Sequence, residues 1–183
     1  MNEELELLKT VASRLASAGI EYMITGSMAL TLYSTPRMTR DIDIIIQVSP
    51  RDAERMMGLF QDDFYIDEPS MRKAILDKGM FNIIHNDSVI KVDFIIRKDE
   101  EYRRSEFFRR RRFDIGGAWI SVVAPEDLIL SKLVWLKISD SELQFKDVRQ
   151  LLTTATDLDH EYLSKWSKPL GVEDHLKKAS EHE

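Results

Sequence analysis

The segment Ile24-Thr25-Gly26-Ser27 is followed, after residues 28–40, by Asp41-Ile42-Asp43-Ile44. The first segment ends a short β-prone stretch at a glycine and places Ser27 where the N-cap of a helix over residues 28–33 belongs. The second segment begins a strand, 41–48, that starts polar and becomes apolar. Together they predict a strand, a tight turn, a helix and a second strand.

The residues on either side of these segments predict further helices and strands. Leucine, valine and alanine recur at helical spacing over 3–18, and a helix is expected from Pro50 to about residue 60. Strands 80–85 and 89–96, joined by a turn at 86–88, predict a hairpin. Strands 113–115 and 119–123, joined through 116–118, predict another. From Pro125 onward the pattern is helical, with apolar stripes in 129–136 and 145–152.

This order of elements predicts an α+β fold, in which helices flank a small mixed β-sheet and a C-terminal helical part follows. A chain of 183 residues is long enough for one full core with a helical appendage. We expect a core over 1–124 and a helical region over 125–183 that packs on it.

The amino-acid composition restricts the kind of metal site that the protein can form and indicates its location in the cell. The chain has no cysteine, so a metal would have to be held by carboxylates or histidines, which favours a hard ion such as Mg²⁺. An acidic N-terminus and the lack of a long apolar run predict a cytoplasmic protein without a membrane segment. The net charge of −6 argues against a general nucleic-acid coat but permits a local basic patch.

Three aspartates are the candidate metal ligands. Strand alternation puts Asp41 and Asp43 on one face, about 7 Å apart, while Ile42 and Ile44 point into the core. Asp93 lies among apolar residues of another strand, and pairing of the two strands would bring the three carboxylates together. Such a cluster raises its own pKa values unless cations neutralise it, so a divalent ion is the simplest partner.

These residues resemble the nucleotidyltransferase superfamily that includes DNA polymerase beta. Its pattern is a hydrophobic residue, Gly, Gly or Ser, a gap, and then Asp-hydrophobic-Asp, which residues 24–27 and 41–44 match. Three further motifs resemble AbiEii-type and related small bacterial nucleotidyltransferases, and they occur in the same order: residues 37–41, residues 125–128 with Lys132, and Lys146-Asp147. The resemblance spans residues 20–152 and implies a sheet of the nucleotidyltransferase type.

The resemblance implies Mg²⁺-dependent transfer of a nucleoside monophosphate from an NTP to a hydroxyl. Asp41 and Asp43 would bind two Mg²⁺ ions, and Asp93 would complete the site and could accept the hydroxyl proton. The residues expected to contact the triphosphate are Gly26, Ser27, Arg37, Arg40 and Lys132. The acceptor would be a protein side chain, a tRNA 3′ end or a small molecule such as an aminoglycoside. An AbiEii-type protein would be a toxin with a cognate antitoxin as its partner.

Several patterns admit a structural interpretation as well. Asp41 and Asp43 could cap a strand end, and Lys146-Asp147 could belong to a solvated helix face. The basic run Arg103–Arg112 could bind an RNA acceptor, but its aromatic residues could equally be core anchors of a helix, which we favour slightly. The three tryptophans are expected to be packing residues. A non-catalytic nucleotide-binding or antitoxin-like module of the same fold is the alternative function.

Overall fold

A computed structural model describes residues 2–35 and 41–181. Residues 50–52 form a short 3-10 turn. The helices are α1 (Asn2–Ser17), α2 (Gly26–Tyr33), α3 (Ala53–Phe60), α4 (Glu68–Asp77), α5 (Glu101–Phe108), α6 (Pro125–Ser139), α7 (Glu142–Thr154), α8 (His160–Ser167) and α9 (Glu173–Ser180). The strands are β1 (Glu21–Ile24), β2 (Asp41–Gln47), β3 (Phe64–Ile66), β4 (Met80–His85), β5 (Lys91–Ile96), β6 (Arg111–Ile115) and β7 (Ala118–Val122).

The strands form one mixed sheet in the order β3-β4-β5-β2-β1-β7-β6. The pairs β2–β5 and β1–β7 are parallel, and the other neighbours are antiparallel. Both predicted hairpins, β4–β5 and β6–β7, are present. The α+β prediction is confirmed. Within the part of the chain that the structure describes, no helix is long and apolar enough to cross a membrane.

The two faces of the central strands differ sharply in chemistry. One face is apolar and fully buried because alternate residues of β1, β2, β4 and β5 are large hydrophobic side chains that come into register. This face is formed by Tyr22, Ile24, Ile42, Ile44, Ile46, Phe81, Ile83, Val92, Phe94 and Ile96. The aspartates of β2 and β5 therefore point to the opposite face, as the alternation predicts.

The change from strands to helices falls at Pro125, where it was expected. Helix α6 contacts α2, α7 and α8, and its buried leucines join the same hydrophobic cluster as the sheet. The helical region therefore packs on the core through shared apolar contacts. The division into units 1–124 and 125–183 stays a prediction.

Two elements were not foreseen, β3 and α4. Strand β3 has three residues, too few for an alternation to be recognised. Helix α4 buries only Met71, Ala74 and Ile75 in an otherwise polar sequence. Strand β3 extends the sheet beyond the expected hairpin, so the sheet is larger than predicted, and α4 contacts β4.

A buried acidic pair at the start of α6 ties three helices together. Glu126 and Asp127 are fully buried, and Arg109, at the end of α5, contacts their carboxylates at 2.9 and 3.2 Å. The Tyr162 hydroxyl of α8 donates to Asp127 Oδ1 at 2.8 Å, and the Asp159 N–H donates to Glu126 Oε1 at 3.0 Å. The acidic residues after Pro125 thus serve the fold.

Burial raises the pKa of Asp127 from 3.8 to about 6, because the desolvation of its carboxylate outweighs the hydrogen bond from Tyr162 and the charge of Arg109. The folded state therefore holds this proton more tightly than the unfolded chain does. Ionisation costs stability as pH rises from the unfolded pKa through the folded one, by about 3 kcal/mol in total.

We predict that Asp127→Asn removes this cost. The free energy of unfolding of the wild type should fall relative to that of the variant, by about 3 kcal/mol, between pH 3 and pH 7. Urea denaturation over a pH series measures this difference, with the exposed Asp87→Asn as the control. Parallel pH profiles for wild type and Asp127→Asn would show that Asp127 is not the titrating group.

Candidate active site

The parallel pairing of β2 with β5 places Asp43 directly opposite Asp93. Neighbouring strands are about 4.8 Å apart, and paired residues point to the same face, so the two carboxylates are close neighbours. Asp41 lies two residues before Asp43 on that face and is exposed, whereas Asp93 is 7% exposed. The structure thus brings the three aspartates to one face of the central strands, as the strand-pairing argument requires.

Lys91 provides a positive charge between two of these aspartates. Its Nζ lies 2.8 Å from Asp93 Oδ2 and 3.8 Å from Asp41 Oδ1. The hydrogen bond with Asp93 raises the pKa of Lys91. The sequence interpretation did not single out this lysine, although the register that pairs it with Asp41 follows from the one that pairs Asp43 with Asp93.

The surroundings of Asp43 disfavour its charged form. Burial raises its pKa first, and the neighbouring carboxylates of Asp93 and Asp41 raise it further. Lys91 and Lys132 oppose this effect, but the pKa stays above its ordinary value. The site therefore holds more negative charge than its own lysines balance.

Gly26 packs directly against Asp43. Its φ is +62°, in the left-handed region that disfavours side chains, and a Cβ at this position would lie 2.8 Å from Asp43 Cγ. The N–H of Thr25 also donates to the carbonyl of Asp43 at 2.9 Å. The lack of a side chain at Gly26 makes room for the Asp43 carboxylate, and contact of Gly26 with the triphosphate stays a prediction.

Gly19 offers a matched control for this contact, since its φ is +66° and a Cβ there would meet no atom within 4 Å. We predict that Gly19→Ala costs about 1 kcal/mol from backbone strain alone. Gly26→Ala should cost at least about 1 kcal/mol more, because the Asp43 side chain must also move. Chemical denaturation of both variants measures the difference. Equal losses would contradict the close packing of Gly26 against Asp43.

Ser27 is the second residue of α2, and the N-cap is Thr25. The prediction of Ser27 as N-cap was therefore wrong by two residues, since the helix begins at Gly26. Ser27 lines the same cleft as Gly26 and Asp43, and the first N–H groups of a helix have no partners within it. Arg37 and Arg40, the other expected phosphate contacts, lie outside the described residues.

Lys132 is buried beside the aspartates, at 4% exposure. Its Nζ donates to Asp147 Oδ2 at 2.7 Å and to Gln144 Oε1 at 3.0 Å, and the side chain lines the cleft. Asp147 is 1% exposed, so its assignment to a solvated helix face is wrong, whereas Lys146 is exposed as that interpretation expects. The Lys132–Asp147 pair fixes α7 to α6 next to the aspartates.

We predict that Lys132→Met and Asp147→Asn each destabilise the protein, by about 3 kcal/mol for Lys132→Met, which removes the ammonium that donates to the buried Asp147 carboxylate. The loss of stability in the double variant should be smaller than the sum of the two single losses, by about 2 kcal/mol. Urea denaturation of the four proteins completes the cycle. Additive losses would mean that the two side chains do not stabilise each other.

One cleft of about 330 Å³ is lined by Gly26, Ser27, Asp43, Asp93 and Lys132, and its volume suits a small-molecule ligand. One wall is the sheet face, which contributes Asp43, Asp93, Ile95 and Met80. The other wall is α6, which contributes Leu128, Ser131, Lys132 and Trp135. The start of α2, with Thr25, Gly26 and Ser27, and Gln144 of α7 complete the lining.

The donor chemistry of the aspartates suits Mg²⁺, which prefers carboxylate oxygens. The ammonium of Lys91, 2.8 Å from Asp93, indicates that this face attracts a cation. Across residues 2–35 and 41–181, no three carboxylate or histidine side chains are already arranged as a ligand set. A metal would have to draw the aspartates together and displace the Lys91 ammonium from between Asp41 and Asp93.

The basic run mostly serves the fold. Of its six arginines, four contact carboxylates: Arg103 with Glu106, Arg109 with Glu126 and Asp127, Arg110 with Glu21, and Arg111 with Glu126. Its aromatic residues divide, since Phe107 is buried and Phe108 is exposed. The favoured structural interpretation therefore accounts for most of the run, and RNA binding by the run stays a prediction.

The tryptophans were expected to pack in the core, and only Trp166 does so. Trp119 is 60% exposed, and the Cζ atom of Arg112 lies 5.6 Å from the centroid of the Trp119 ring. Trp135 is 57% exposed and lines the cleft. Trp135 lies on the side of α6 that lines the cleft, although the neighbouring Leu136 is buried, and sequence spacing does not show which side of a helix borders a cleft.

The mixed sheet, with its paired aspartates next to a Gly-Ser helix start, agrees with the nucleotidyltransferase type of fold that the sequence resemblance implies. Residues 4–177 match the family model described as "Nucleotidyl transferase of unknown function" (DUF2204), and the chain belongs to this family. The predicted superfamily is thereby confirmed, and the match extends beyond the expected 20–152. No curated protein matches the chain in sequence.

Solved structures share the fold at low sequence identity. The antibiotic-resistance factor ANT(2'')-Ia has a TM-score of 0.62 at 15% identity, and the match covers 97% of this chain and 98% of that one. The lincosamide antibiotic adenylyltransferase LnuA has a TM-score of 0.56 at 11% identity, covering 85% and 98%. An antigenic nucleotidyltransferase-like protein from Paracoccidioides brasiliensis has a TM-score of 0.56 at 16% identity, covering 95% and 90%.

Proposed function

We propose that the protein uses Mg²⁺ to transfer a nucleoside monophosphate from an NTP to a hydroxyl group of an acceptor. The observation that carries this proposal is the pairing of Asp43 with Asp93 on adjacent strands, in a cleft that also contains Gly26, Ser27 and Lys132. Acidic and basic groups meet there at a helix N-terminus, which is the combination that phosphoryl transfer requires.

The roles of the side chains follow from their positions. Asp41, Asp43 and Asp93 would hold two Mg²⁺ ions, which stabilise the charge on the attacking and leaving oxygens. Asp93 accepts the proton of the attacking hydroxyl. The first turn of α2 directs its N–H groups and the Ser27 hydroxyl at phosphate oxygens. Lys132, held by Asp147 and Gln144, balances the negative charge of the triphosphate.

A small molecule with a hydroxyl group is the first acceptor class to test. What supports it is the fold shared with ANT(2'')-Ia, also solved in complex with adenylyl-2''-tobramycin, and with LnuA, solved with lincomycin bound. Protein side chains and tRNA 3′ ends are the other acceptors to test. An AbiEii-type toxin role, with its antitoxin partner and cytoplasmic location, belongs to the same proposal and rests on the sequence motifs alone.

We predict that the protein with Mg²⁺ and an NTP releases pyrophosphate when a suitable acceptor is present. Asp43→Asn, which keeps the shape of the side chain but removes its charge, should lower kcat/KM at least about a hundredfold. Asp62→Asn, an exposed substitution on the turn between α3 and β3, is the matched control and should retain full activity. Pyrophosphate release and transfer of label from the α-phosphate of each NTP measure the reaction.

The outcome also separates the enzyme from a non-catalytic nucleotide-binding or antitoxin-like module. Metal-dependent NTP binding without label transfer to small molecules, proteins or tRNA would favour that module. If the wild type binds no NTP in the presence of Mg²⁺, both functions are wrong. Equal activity of Asp43→Asn and Asp62→Asn would remove the aspartate pair from the mechanism.

A further inference from the structure

The cleft changes from charged to apolar along its length, and the change occurs on both walls. On the sheet, Asp93 is followed by Ile95 on the same face, about 7 Å further along β5. Ile95 pairs in register with Met80 of β4, so the two form one apolar patch. The charged and apolar parts of the sheet wall are therefore separated by one step of the strand.

Helix α6 repeats this arrangement on the facing wall. Lys132 and Trp135 are three residues apart and both line the cleft, so they lie on one side of the helix about one turn apart. Lys132 is buried next to the aspartates, and Trp135 is 57% exposed towards the mouth. Each wall thus presents a charged group inside and an apolar group about 5 to 7 Å further out.

Met80 and Trp135 remain largely exposed although both are large and apolar. Met80 is 58% exposed and Trp135 is 57% exposed. Both line a concave site rather than a flat surface, and apolar side chains in such a position gain stability when a ligand covers them.

We propose that this apolar end, formed by Met80, Ile95 and Trp135, receives the base of the NTP and that the Trp135 indole stacks on it. The proposal rests on the proposed function, which places the triphosphate at Gly26, Ser27 and Lys132. A nucleotide carries its phosphates and its base on opposite sides of one ribose. The distance of about 5 to 7 Å between the charged and the apolar group on each wall is of the order of the size of that ribose. The exposed indole supplies a flat face at the position that the base reaches.

Stacking of this kind accepts any base, because each base presents a π-face. Replacing the stacking residue with alanine costs about 1–3 kcal/mol of binding free energy per base. Trp135 should therefore strengthen the binding of every NTP without selecting strongly among them. It should contribute nothing to a ligand that has phosphates but no base.

The test compares nucleotides with inorganic tripolyphosphate, both titrated calorimetrically in the presence of Mg²⁺. Non-hydrolysable ATP and GTP analogues replace the substrates so that binding alone is measured. Trp135→Ala should raise the Kd of both analogues about tenfold, which corresponds to the lower part of the free-energy range for stacking. The Kd of tripolyphosphate should stay unchanged. Trp135→Phe keeps an aromatic face and should restore most of the affinity. Trp119→Ala, an equally exposed tryptophan outside the cleft lining, should change nothing.

A spectroscopic readout supports the calorimetry. In the Trp119→Phe variant, Trp135 is the remaining exposed indole, because Trp166 is 7% exposed. An ATP analogue should quench its fluorescence, and tripolyphosphate should leave it unchanged. Quenching by both ligands would indicate a change of conformation rather than stacking and would overturn the assignment.

The possible failures are distinguishable. If Trp135→Ala leaves the nucleotide affinity unchanged, or weakens nucleotide and tripolyphosphate equally, the base subsite is wrong while the proposed function stands. If the variant instead raises only the KM of an acceptor, the apolar end belongs to the acceptor, which also overturns the proposal. If the wild type binds neither the nucleotides nor tripolyphosphate, the proposed function fails together with this inference.

Discussion

The repulsion between two carboxylates, Asp43 and Asp93, held side by side on parallel strands, is the constraint to which the surrounding structure responds. The sheet fixes this pairing, because the apolar residues on the opposite face lock β2 and β5 in register. Lys91 and Lys132 offset part of the charge, and the pKa of Asp43 nevertheless remains raised. Gly26 has no side chain because the Asp43 carboxylate fills the space that one would need.

The features that depend on the alternation of side chains along a strand, or on a short turn, could be predicted from the sequence. Alternation alone places Ile42 and Ile44 in the core and Asp41 and Asp43 on the other face, and the structure agrees. The hairpins follow in the same way, since turn residues separate short apolar strands. The meeting of Asp93 with Asp43 needed one further assumption, that β5 pairs with β2.

Long-range contacts account for what the sequence interpretation missed. Asp147 looked like one charge of an exposed helix face, but it is buried and accepts a hydrogen bond from Lys132, fifteen residues earlier. Asp127 likewise depends on Arg109 and Tyr162, which come from other helices. A buried charge is paired with a distant residue, so the pattern around it resembles a solvated surface.

The anchoring of α6 has a consequence for how such a protein can change over evolutionary time. Its first turn is bound to α5 and α8 through Glu126 and Asp127, and its middle is bound to α7 through Lys132. The neighbouring Leu136 is buried in the core, whereas the Trp135 side chain is 57% exposed. A substitution at position 135 can therefore change the surface of the cleft without loss of the fold, while the loss of a buried charge of α6 is costly.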